Sequence, residues 1–167
     1  MSIPDSQRLD ADELLHFALR AIEGDDDEQA IAYLKRAIDA APQDGKPWLL
    51  LAGVHAGLGL HDRALEDLMH ATRLSPELHQ AHFHLGYVHL LMGQTEEAEL
   101  AWRALDELAA DDPLRLFKHG LMLLTVDDFE AGIAALEQGL ALSDEAALNE
   151  DMRAIVRQAR TTLAAER

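Results

Sequence analysis

Residues 45–78 read GKPWLLLAGVHAGLGLHDRALEDLMHATRLSPEL, and the fold follows from how this stretch is punctuated. An uncharged run from Pro47 to Leu60 is broken by Gly57-Leu58-Gly59. A second segment then carries Ala64, Leu68 and Ala71 at helical spacing and stops before Ser75-Pro76. Such punctuation predicts two helices joined by a tight glycine turn. The run contains 14 residues, too few to span a bilayer, and reads as a packed core helix.

The same layout recurs at a step of 34 residues in both directions. Units beginning at Ala11, Gly45, His79 and Pro113 bring the coincidences into register, over 11–44, 45–78, 79–112 and 113–146. Position 8 reads Ala18, Ala52, Gly86 and Gly120, and position 20 reads Ala30, Ala64, Ala98 and Gly132. Position 24 is bulky (Leu34, Leu68, Trp102, Leu136), and position 27 reads Ala37, Ala71, Leu105 and Gly139. Small residues at positions 8 and 20 let two antiparallel helices approach closely, and the bulky residue fills the next gap. Turns are expected at Gly24-Asp25-Asp26, Gly57-Leu58-Gly59, Gly93-Gln94 and Asp127-Asp128. Between units, Ser75-Pro76 and Asp112-Pro113 each read as an N-cap followed by proline at the first helical position. Asp10 and Glu13 form a candidate capping box at the first helix.

These rows resemble the tetratricopeptide repeat, whose pattern is W-x2-L-G-x2-Y, then A-x3-F, then P. The second unit carries Trp48-x2-Leu51-Ala52-x2-His55, Ala64-x3-Leu68 and Pro76. The third keeps Leu85-Gly86 and Ala98-x3-Trp102, the first keeps Ala18, Ala30-x3-Leu34 and Pro42, and the fourth keeps Gly120 and Gly132. The resemblance implies an all-α, right-handed solenoid of helix-turn-helix repeats. Residues 1–10 precede it, and 147–167 form a capping helix with a solvated face.

The resemblance also implies that positions 2, 5, 9 and 12 of each first helix line a concave groove. The expected partner-binding residues are therefore Leu15 and Leu19, then Lys46 and Leu49, then Phe83, Tyr87 and Leu90, and finally Phe117 and Leu121. Apart from Lys46 as a polar edge contact, this lining is apolar. It has no Asn or Arg and Lys46 stands alone, so the Lys, Asn and Arg clamp with which repeats of this family hold a C-terminal carboxylate is not expected. A protein or peptide segment with hydrophobic anchors is the expected partner. Self-coverage by the N-terminal segment, by the last helix or by a second copy, giving a homodimer, is the competing expectation. A secretion-type chaperone holding a hydrophobic export substrate resembles this chain in size, charge and architecture.

Composition narrows the remaining classes. The chain has 167 residues with 30 Leu and 28 Ala, a helix-forming mixture. Fourteen Lys and Arg against 31 Asp and Glu give a net charge of −17, which opposes binding to nucleic acid or anionic membrane. There is no cysteine, so neither disulfides nor thiolate chemistry is available. The N-terminal residues show no secretory pattern, and a soluble, cytoplasmic protein is expected. Nine histidines are present, with His79, His82, His84 and His89 close together, yet no H-E-x-x-H spacing occurs. His55 and His89 at position 11 read as polar-tipped core residues. The acidic pairs lack calcium-loop spacing, and no nucleophile or phosphate-loop motif is present. Neither catalysis, metal nor cofactor is expected.

Overall fold

A computed structural model describes residues 9–166, so residues 1–8 of the expected N-terminal segment and Arg167 of the cap lie outside it. The described residues form helices α1 (Ala11–Glu23), α2 (Asp27–Ala40), α3 (Lys46–Gly57), α4 (His61–Leu74), α5 (His79–Leu91), α6 (Thr95–Trp102), α7 (Pro113–Thr125), α8 (Phe129–Leu142) and α9 (Ala146–Ala165). A 3-10 turn, Arg103–Glu107, follows α6. Two compact units divide the chain between Ala101 and Trp102.

One turn geometry recurs four times. Asp25, Gly59, Gly93 and Asp127 all have positive φ, between 55° and 75°, and stand 34 residues apart. Each is flanked by the same two hydrogen bonds. The longer ones run from the amides of Asp26, Leu60, Gln94 and Asp128 to the carbonyls of Ala21, His55, His89 and Leu123. The shorter ones run from the positive-φ residues to Ile22, Ala56, Leu90 and Leu124. This is a Schellman ending, which ties off free carbonyls and reverses the chain with one left-handed residue. Glycine fits there at no steric cost, and Asp tolerates it through its short polar side chain. Asp26 and Asp128 then cap the next helix by accepting from the amides of Gln29 and Ala131.

In the first unit, α1 packs on α2, α2 on α3, α3 on α4 and α4 on α5. The small and bulky rows form its core: Ala18, Ala30, Leu34, Ala37, Ala64, Leu68 and Ala71 are all but inaccessible. Asp10 and Glu13 close the expected capping box at 2.8 and 2.9 Å. The expected N-cap at Ser75 is corrected. Ser75 ends α4, and α5 begins only at His79, after a turn in which the Leu78 amide bonds the Ser75 carbonyl. The Ser75 hydroxyl accepts instead from the Gly45 amide at 3.0 Å. A Cβ at Gly45 would lie 2.6 Å from the Ala71 carbonyl, so this close approach requires glycine.

In the second unit, α7 packs on α8 and α8 on α9. The Asp112-Pro113 start holds, with Asp112 accepting from the Leu114 amide at 2.9 Å. A Cβ on Gly120 would lie 2.9 Å from the Gly132 carbonyl, and one on Gly139 2.5 Å from the Phe117 ring. The two backbones are thus as close as side chains allow. Helix α9 buries Leu148, Met152, Val156 and Ala159 along one stripe and turns Glu150, Arg153 and Arg157 outward. That division gives it one buried and one wet face.

Candidate functional site

The expected lining residues occupy three different environments. Leu19 on α1 is 43% exposed, and Lys46 at the start of α3 is also exposed. Leu15, Leu49, Tyr87 and Leu90 are half-buried. Leu15 and Leu49 rest against core clusters with their remaining surface outward. Phe83, Phe117 and Leu121 are in the core, with relative exposures of 0%, 0% and 3%. Phe83 stacks on Tyr87 with centroids 6.2 Å apart, and Phe117 fills the space left by Gly139. The buried three thus belong to the cores of their respective units and present no surface to a partner.

Glycine adds a signal that residue type alone conceals. A Cβ at Gly53 or Gly57 on α3 would meet nothing within 4 Å. These glycines leave open space beside Leu49, on the same face of α3. Both glycines are exposed, so α3 presents bare backbone beside half-buried Leu49. Phe17, 41% exposed, lies between Leu15 and Leu19 in sequence but belongs to another contact, stacking on Tyr33 at 5.5 Å.

A second concavity lies between α2, α3 and α4, with a volume of about 430 Å³. Its floor holds His55 and Asp67, which are 7% and 6% exposed and joined Nδ1 to Oδ2 at 2.6 Å. Burial pushes the Asp67 carboxyl above its usual range, against the opposing pull of its bond to His55. Position 11 is thus a core position with a polar tip, as the sequence suggests. Its buried carboxylate partner, at position 23, is invisible to the repeat pattern. The other position-11 histidine, His89, bonds Gln94 Oε1 at 2.7 Å. His82 Nε2 meets the Pro76 carbonyl at 3.0 Å, and Trp48 stacks on His70 with centroids 4.3 Å apart. These histidines face different partners. Among the described residues, no group of three His, Asp or Glu could hold a metal ion. No helix of the described residues is long and apolar enough to cross a membrane.

Comparison with known proteins places these features. A family model, described as tetratricopeptide repeat, matches residues 21–44 and 45–78. A curated relative, anaphase-promoting complex subunit cut9 of Schizosaccharomyces pombe, is 27% identical over 122 residues, 73% of this chain. The chain spans only 18% of that protein's length. The crystal structure of the APC/C hetero-tetramer Cut9-Hcn1 matches with a TM-score of 0.71 and 24% identity, over 81% of this chain and 26% of that one. MamA from Desulfovibrio magneticus RS-1, residues 41 to the end, matches with a TM-score of 0.64 and 21% identity, over 93% of both chains.

Proposed function

We propose, from the premise that this chain is a tetratricopeptide-repeat protein, that it is a non-enzymatic module that captures a segment of another protein on the apolar face of its first helices. The curated relative is by name a subunit of a protein complex, and its solved form is a hetero-tetramer, which supports a protein partner. The observation that carries the reading is the bare, exposed backbone at Gly53 beside half-buried Leu49, where a partner side chain has room to approach. Leu15 and Leu19 extend the apolar surface on α1, Tyr87 and Leu90 on α5, and Lys46 marks a polar edge. Phe83, buried on α5, stacks on Tyr87 beneath that surface.

Burying exposed leucine surface supplies about 25 cal/mol per Å², so a few anchors account for ordinary peptide affinity. Such anchors are tested best where they are exposed, because truncating buried Phe83 would cost about 3–5 kcal/mol of stability. We expect Leu19→Glu with Leu49→Glu to abolish partner capture in a native pull-down read by mass spectrometry, with unchanged circular dichroism. Capture that survives in the folded double variant would move the site elsewhere.

A further inference from the structure

The crevice between α2, α3 and α4 goes beyond the apolar face, and we propose that it is a second binding site, built for the guanidinium of an arginine next to an acidic residue in a partner peptide. Trp48, Leu51 and His55 line it, and their spacing of three and four residues places them on one stripe of α3. Leu49, Gly53 and Ala56 lie on the neighbouring stripe, so the two sites use different sides of one helix.

The floor is made of acceptors. With Asp67 ionised, His55 Nδ1 donates to Oδ2, which leaves Nε2 as an acceptor. Neither that nitrogen nor the second oxygen of Asp67 makes a hydrogen bond among the described residues. Asp67 is 94% removed from solvent as a residue, yet neither atom is fully enclosed, so both acceptors remain reachable from the crevice by an incoming N–H group.

The rim adds charge of both signs. Asp39 and Glu66 are exposed lining residues, as are Lys35 and Arg63, and none of the four forms an ion pair or hydrogen bond among the described residues. A guanidinium offers five N–H donors in a planar fork, matching the carboxylates and Nε2. The two rim cations then favour a carboxylate on the adjoining residue. An isolated lysine or an isolated acid would satisfy only part of this set, and the volume of about 430 Å³ holds one long side chain with its neighbour.

The test is NMR titration of the folded protein with the capped dipeptide Arg-Glu, using capped citrulline-Glu as the uncharged isostere. The reporter is the Trp48 indole N–H, assigned through Trp48→Phe. Arg-Glu should move that signal saturably, whereas the citrulline form should not. Asp67→Asn and Glu66→Gln should each weaken binding about tenfold, which is ordinary for losing one charged contact. Glu66 is exposed, so its variant decides the matter even where Asp67→Asn unfolds. An unmoved Trp48 signal, equal binding of the citrulline form, or full binding by Glu66→Gln overturns the proposal. None of these outcomes bears on Leu19 and Leu49.

Discussion

At the scale of single residues, histidine decides how this chain responds to acid. His84 on α5 is half-buried, and loss of solvation pushes its imidazole from 6.5 down to about 4. The folded state therefore favours the neutral ring. The stability this implies is fully present above pH 6.5 and is lost as pH falls towards 4. The loss amounts to about 3 kcal/mol by linkage. Asp67 acts in the opposite direction, since a raised carboxyl pKa favours the protonated folded form as pH falls. Urea midpoints of the protein and of His84→Leu between pH 4 and 7 separate the two, and the variant should lose the steep acid slope. His55→Ala should cost about 3 kcal/mol at neutral pH in the same assay, because it leaves a buried carboxylate unpaired. The sequence reveals His55 as a core residue through its repeat position. Asp67 carries no such mark, because position 23 reads Tyr33, Asp67, Ala101 and Ala135.

At the scale of elements, the turn between paired helices carries the repeat more faithfully than any side chain. Two units place glycine at the left-handed position and two place aspartate, yet all four make the same pair of hydrogen bonds. Gly93→Val should cost about 1–2 kcal/mol in thermal unfolding, the penalty of a left-handed non-glycine residue. Asp127→Gly should leave stability unchanged or slightly higher. The helix pairs are legible in the sequence because close packing demands small residues at positions 8 and 20, and that demand is written directly as Ala and Gly. The link between units is less legible. Serine before proline looks the same whether the hydroxyl caps the next helix or, as in Ser75, reaches back to a neighbouring amide. Burial of the inner-face aromatics is equally hidden. Phe83 and Phe117 sit where the resemblance implies a groove lining, but a space left beneath a large ring is set by the helices packed against it, such as α8 at Gly139.

At the scale of the whole molecule, the net charge of −17 and the apolar half of the composition have separate places. Asp25, Asp127 and Asp128 occupy turns, Glu28, Glu66 and Glu137 occupy solvated helix faces, and aliphatic residues fill the two cores. This separation lets an aliphatic chain leave a leucine such as Leu19 exposed without a strong drive to aggregate. The direct test of partner capture on the apolar face is photo-crosslinking from benzoylphenylalanine placed at Gly53, where the added ring has open space. We predict one dominant crosslinked protein other than a second copy of this chain, lost when Leu19→Glu and Leu49→Glu are introduced. Crosslinks confined to a second copy, or a partner yield unaffected by those two changes, would contradict it.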